Sequence, residues 1–109
     1  MLFNEIDVIN KLKSPNVVRL LDVFETSSEY YIIQEYCNNG VLRNLIKNGN
    51  VFTEAEALKV LKWILTGYLE LIHHGIVHCD LRPENIFIHN DIYKLYDFRE
   101  AETVIIIYF

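Results

Sequence analysis

The sequence predicts an α+β fold, in the order helix, two strands, long helix, two short strands. Three observations carry this. A long apolar stripe begins at a helix-start signature near residue 53, strand-like runs rich in Val, Ile, Leu, Tyr and Phe flank a polar turn near residue 27, and a second such pair surrounds His89-Asn90-Asp91. Helices and strands that alternate irregularly, without a repeated strand-helix-strand unit, suit segregated layers better than a doubly wound sheet.

Taken in order, residues 3–13 place Ile6, Ile9 and Leu12 on one helical face, and Ser14-Pro15 ends the pattern. Residues 17–24 and 29–34 flank Glu25-Thr26-Ser27-Ser28 and are expected to form a β-hairpin. Cys37-Asn38-Asn39-Gly40 breaks the strand pattern. Residues 41–46 then offer a short helical turn before Asn48-Gly49-Asn50. In Thr53-Glu54-Ala55-Glu56 the threonine can cap the first amides while Glu56 reaches back, which starts a helix over residues 54–74. Gly75 suits the left-handed position past its end. At 1.5 Å rise per residue this helix is about 30 Å long. Leu58, Leu61, Leu65 and Tyr68 are expected to face the core, with Trp63 off that stripe. Residues 86–88 and 93–96 complete a second hairpin.

Composition narrows the function classes. A chain of 109 residues with 51% hydrophobic and 23% charged residues forms one globular domain and is too apolar for intrinsic disorder. Ten basic against fifteen acidic residues give a net charge of −5, and no Lys/Arg cluster supplies the footprint of a nucleic-acid binder. No apolar run reaches the roughly 18 residues of a membrane span, and no signal peptide opens the chain. An intracellular, cytoplasmic protein without nucleic-acid or membrane partners is expected. Cys37 and Cys79 lack CxxC spacing and are read as free thiols. Adjacent His73 and His74 point about 100° apart on a helix, so with His78 and Cys79 they make poor metal ligands.

Between the long helix and the second hairpin lies His78-Cys79-Asp80-Leu81-Arg82-Pro83-Glu84-Asn85, and after the hairpin comes Asp97-Phe98-Arg99. This constellation resembles the catalytic loop and metal-binding motif of the eukaryotic protein kinases, H-R-D-L-x-x-x-N and D-F-G. The resemblance covers about residues 3–99. It implies a partial protein-kinase-like fold running from helix C to the metal-binding motif: residues 1–36 from the small lobe and hinge, 37–99 from the start of the large lobe, and 100–109 as a divergent tail. It implies ATP and Mg²⁺ as cofactors and transfer of a phosphoryl group to protein Ser/Thr hydroxyls. Asp80 matches the catalytic base, Arg82 the phosphate-contacting cation, and Asn85 and Asp97 the metal ligands. Gln34 matches the gatekeeper. Glu35 and Cys37 match the hinge residues whose backbone meets adenine, and Phe87 the floor beneath it. Glu5 matches the helix C glutamate, and Ile9, Leu20, His78 and Phe98 the column of side chains linking the lobes.

The departures from the pattern are specific. The chain contains no G-x-G-x-x-G and no lysine before Glu5, Cys79 replaces an arginine, and Arg99 replaces a glycine. A complete domain of this family is more than twice as long, so the resemblance implies truncation at both ends and little or no activity in the isolated chain. The alternative reading is a degenerate, kinase-like binding or scaffolding segment without catalysis; the protein substrate or partner is unspecified. Missing neighbours are expected to leave a hairpin edge unpaired and apolar patches on the long helix. With the β-prone residues 104–109, this leads to the expectation of an aggregated, oligomeric or molten chain in isolation.

Overall fold

The computed structural model describes residues 11, 12, 14–76, 81–96 and 104–108, the last group and Tyr30 in backbone only. Of the helix expected over 3–13, only Lys11 and Leu12 fall among these, and both are helical. A hairpin of β1 (Leu20–Glu25) and β2 (Tyr30–Gln34) follows, closed by Thr26, whose hydroxyl accepts from the Glu29 amide at 3.0 Å. Next come a short helix α1 (Leu42–Lys47) and the long α2 (Glu54–His73). A 3₁₀ turn at Pro83–Asn85 leads into β3 (Ile86–His89) and β4 (Ile92–Leu95). β5 (Val104–Tyr108) is the last described element.

The expected capping box is present in both directions: the Glu56 amide donates to Thr53 Oγ1 at 3.1 Å, and the Thr53 amide donates to Glu56 Oε1 at 2.8 Å. Gly75 closes α2 at φ +89°, an angle that a side chain would disfavour. β3 and β4 are joined by Asn90 and Asp91 alone, both at positive φ, the geometry that twists a two-residue hairpin correctly. No helix among the described residues is long and apolar enough to cross a membrane.

Two expectations need correction. The first strand begins at Leu20 rather than residue 17. Val17 forms a parallel bridge with Leu95, and the Val18 amide donates to the Leu95 carbonyl at 2.7 Å, so this segment belongs to the β3–β4 hairpin before it reaches β1. The expectation that at least one hairpin edge lacks a neighbour holds at β1, which ends the sheet among the described residues, whereas the outer edge of β2 pairs in parallel with β5 from Tyr30↔Val104 to Gln34↔Tyr108, making a three-stranded sheet β1-β2-β5. Residues 104–108 of the divergent tail thus form a sheet strand.

The second correction concerns the face of α2. Leu58, Leu61 and Leu65 are exposed, as is Leu69. The helix instead turns Gly67 and Leu71 fully inward and packs Val60, Trp63, Ile64 and Tyr68 against the core formed by Val17, Leu20, Ile32, Ile76, Ile86, Ile88 and Leu95. The contact that sets this rotation is a close crossing at Gly67, where a β-carbon would lie 2.4 Å from the Asn16 carbonyl oxygen. Only a residue without a side chain lets helix and loop approach so closely. An exposed apolar patch does lie on the opposite side of the helix, and it comprises three of the leucines expected to face the core, Leu58, Leu61 and Leu65.

Candidate functional site

The hinge begins where β2 ends. Gln34 is fully buried, and among the described residues its side-chain amide finds no hydrogen-bond partner. Glu35 ties three segments together. Its amide donates to the Arg19 carbonyl at 3.0 Å, its Oε2 accepts the Arg19 amide at 2.7 Å, and Lys94 on β4 donates to both carboxylate oxygens at 3.0 and 3.2 Å. The pair is only partly wet, with side-chain exposures of 12% for Lys94 and 22% for Glu35, so solvent screens it incompletely. Among the described residues no turn or loop hydrogen bond uses the Glu35 carbonyl or the Cys37 amide.

Past the hinge the chain runs beside β3. The Asn39 amide donates to the Ile88 carbonyl at 2.9 Å, the Ile88 amide donates to the Gly40 carbonyl at 2.8 Å, and Val41 bridges Phe87. Gly40 makes this bend at φ +73°. The result is a cavity of about 480 Å³ walled by Tyr36, Cys37, Asn38 and Val41, with Phe87 at its base. Phe87 is held by the Tyr96 ring, whose centroid lies 5.5 Å away. A wall at Cys37 and a flat apolar ring at Phe87 suit a planar heteroaromatic ligand. Two of the residues expected from sequence to line this place, Cys37 and Phe87, do so; Glu35 is not among the lining residues, and its side chain ties this segment to Arg19 and Lys94.

Cys37 is buried and free. Burial, then the neighbouring Glu35 carboxylate, pushes its thiol up to about 11 from an ordinary 9.0, with Lys94 acting weakly in the other direction. It therefore stays protonated at neutral pH and is a packing residue, not a nucleophile. We expect its alkylation by iodoacetamide, followed by peptide mass spectrometry across a pH series, to rise with a midpoint near pH 11. At pH 7.5 the rate should be about 100-fold below that of an ordinary thiol. Rapid modification at pH 7.5 would contradict the burial described.

The catalytic-loop side is partly described. Asp80 and Asp97 lie outside the described residues, as do Glu5, Ile9, His78, Phe98 and Arg99. Arg82 precedes the 3₁₀ turn in extended conformation, and the Asn85 amide donates to its carbonyl at 2.8 Å. Pro83 stands at the first position of that turn, where its missing N–H costs nothing. The Asn85 carbonyl in turn accepts the Tyr96 amide at 2.8 Å, so the loop's last residue is stapled to the end of β4. Asn85 thus sits directly before Phe87's strand. Leu20, expected in the column between lobes, is buried in the core.

Sequence reasoning missed the Glu35–Lys94 pair, which joins residues far apart in the chain and carries no local spacing signal. It also left Trp63 unassigned. Trp63 stacks on Tyr93 with centroids 5.7 Å apart and planes 18° apart, forming part of the α2–β4 contact.

The geometry has counterparts. Residues 1–105 match the family model described as the protein kinase domain. The chain is 43% identical over 91 residues to a probable serine/threonine-protein kinase HAL5-like of Vanderwaltozyma polyspora, covering 78% of this chain and 12% of that protein. It is 38% identical over 106 residues to the serine/threonine-protein kinase cds1 of Schizosaccharomyces pombe, covering 95% of this chain and 23% of the relative. A crystal structure of Rad53 1-466 in complex with AMP-PNP superposes with a TM-score of 0.81 at 31% identity, over 90% of this chain and 27% of that one. The chain thus spans about a quarter or less of the proteins it resembles here, and over 90% of its own length its fold is that of the Rad53 structure. The chain belongs to the protein kinase domain family.

Proposed function

We propose that this chain carries the hinge, catalytic loop and metal-binding end of a Ser/Thr protein kinase, a site for transfer of the γ-phosphoryl group of ATP to protein hydroxyls. The observation that carries this reading is the cavity between Cys37 and Phe87, with Asn85 stapled two residues before its floor. The kinship with the AMP-PNP complex of Rad53 supports a nucleotide as its occupant. In this reading the Glu35 carbonyl and Cys37 amide orient the base and Phe87 excludes water beneath it. Asp80 accepts the proton of the attacking hydroxyl, Arg82 faces the phosphate charge, and Asn85 and Asp97 hold Mg²⁺. Mg²⁺ supplies neutralisation of the phosphate charge as it moves. Kinase catalysis is nearly all positioning and electrostatics. These 109 residues include neither a G-x-G-x-x-G cover nor a lysine before Glu5, so the chain by itself should bind nucleotide weakly and turn over none. Arg99 in place of the motif's glycine favours a second reading, a kinase-like binding segment without catalysis.

Calorimetry with Mg-ATP on the purified chain tests the nucleotide site, and a radiolabelled-ATP assay tests the chain for turnover, of which we expect none. We expect saturable binding weaker than micromolar that Phe87→Ala reduces about 5- to 30-fold, since a floor ring contributes roughly 1–2 kcal/mol. Binding that is absent, or indifferent to Phe87→Ala, overturns the nucleotide assignment. Turnover that disappears in Asp80→Asn would establish catalysis and remove the second reading.

A further inference from the structure

The side of α2 turned away from the core carries Leu58, Leu61, Leu65, Leu69 and Ile72, which leave 37% to 61% of their surface in water. At 100° per residue they fall within an arc of about 80° and run for about 21 Å along the helix axis. No charge interrupts the row: Lys62 borders it on one side, Ala57 on the other, and Glu54 lies beyond its N-terminal end. The helix meets the rest of the described chain through its other side, at Val60, Trp63, Ile64, Gly67 and Leu71.

The spacing of the row has a symmetry of its own. Its successive steps are three, four, four and three residues, the same read from either end, with Leu65 at the centre. Reversing the helix therefore lays each apolar position on another, which is the self-complementarity that a twofold interface requires. Size agrees: the row exposes roughly 500 Å², near the upper end of the apolar patch of a monomer. Two such rows face to face remove roughly 1,000 Å² from water, the lower limit for a specific interface.

Charge decides how the second helix lies. Parallel helices would set Lys62 against its own copy and place like ends of the two macrodipoles side by side. Antiparallel helices crossing at Leu65 set Leu58 opposite Ile72 and Leu61 opposite Leu69, and separate the two Lys62 positions by about 9 Å along the axis. They also bring Glu54, in the first turn, within about one turn of the partner's His73, in the last, so that opposite dipole ends meet.

We propose that α2 pairs antiparallel with α2 of a second copy of this chain across the Leu58–Ile72 row, forming a twofold-symmetric dimer. None of the five residues lines the cavity at Cys37 and Phe87, so the inference stands apart from the nucleotide reading.

Sedimentation velocity on the full chain over about 1–200 µM should show a monomer–dimer equilibrium, with a dissociation constant in the micromolar range or weaker and no larger species. Leu65→Glu sets two like charges at the twofold axis and should be monomeric throughout. Val51→Glu, at an exposed apolar position outside α2, should leave the equilibrium unchanged. Orientation has a separate readout: Leu58→Glu and Ile72→Lys should each weaken dimerisation at least about tenfold alone, and their mixture should recover a one-to-one heterodimer. Circular dichroism checks that each variant keeps its helices. Should Leu65→Glu or Ile72→Lys fail that check, Leu65→Ala, with about fivefold weakening expected, and the pair Leu61→Glu with Leu69→Lys take their places. A chain monomeric at about 200 µM leaves the row to a different protein and overturns the proposal. So do association that grows beyond two copies, a dimer indifferent to the Leu65 substitution, and recovery by mixing Leu58→Glu with Leu58→Lys in place of the antiparallel pair.

Discussion

Gly67→Ala is expected to destabilise the chain by about 2–4 kcal/mol, although alanine is the better helix former by about 1 kcal/mol. Helix propensity and packing make opposite predictions here, and the distances decide between them. A β-carbon at Gly67 meets the Asn16 carbonyl oxygen at 2.4 Å and its carbon at 3.2 Å. That oxygen cannot retreat cheaply, because it accepts the Leu95 amide at 2.8 Å. The rest of Asn16 is equally committed: its side-chain amide donates to the Tyr93 carbonyl at 2.9 Å, and its backbone amide donates to Ser14 Oγ, which itself donates to Glu70 on α2. Moving the loop away therefore breaks buried hydrogen bonds to β4, and moving the helix opens the contact at Leu71. Urea denaturation monitored by Trp63 emission gives the comparison. A variant as stable as the parent, or more stable, would show that the crossing relaxes freely.

Lys94→Met is expected to cost about 2 kcal/mol and to weaken nucleotide binding, because it leaves a partly buried carboxylate without its cation. The loss is not that of a surface ion pair, which averages under about 1 kcal/mol, since Lys94 holds both oxygens of Glu35 and water reaches neither group freely. Glu35 would retain only the Arg19 amide. A double-mutant cycle with Glu35→Gln isolates the pair: a coupling of about 1 kcal/mol or more is expected from denaturation midpoints. Coupling near zero would mean that the hinge is held by its backbone contacts alone.

These two positions also show what could be read from sequence. Local devices were legible, since the Thr53–Glu56 box, the Gly75 terminus and the Asn90-Asp91 turn each act within a few residues. Of the candidate site, the placement of Cys37 and Phe87 at one cavity agrees with the sequence reading, while the roles of Asn85 and the other catalytic-loop residues rest on the motif alone. The face of α2 was not legible. Leu58, Leu61, Leu65 and Leu69 form as good a stripe as Val60, Trp63, Ile64 and Leu71, so periodicity cannot say which one the sheet covers. The choice is made by Gly67 against Asn16, a contact between distant parts of the chain. For the same reason neither Glu35–Lys94 nor the Trp63–Tyr93 stack left a trace in spacing.

The parallel seam between β2 and β5 has a kinetic and entropic side. The β1–β2 hairpin closes over Thr26 to Glu29, whereas β5 reaches β2 only after the chain has passed through both helices and the second hairpin. Loop closure costs about 0.6 kcal/mol for each doubling of length, so from an unfolded chain this seam starts roughly 2–3 kcal/mol behind the hairpin. Once α2 and the β3–β4 hairpin are packed, most of the intervening chain no longer fluctuates and the effective loop shrinks to its unpacked remainder. Packing of the large-lobe segment thus lowers the entropic barrier to completing the small-lobe sheet, and the two sheets are thermodynamically linked although they share no strand.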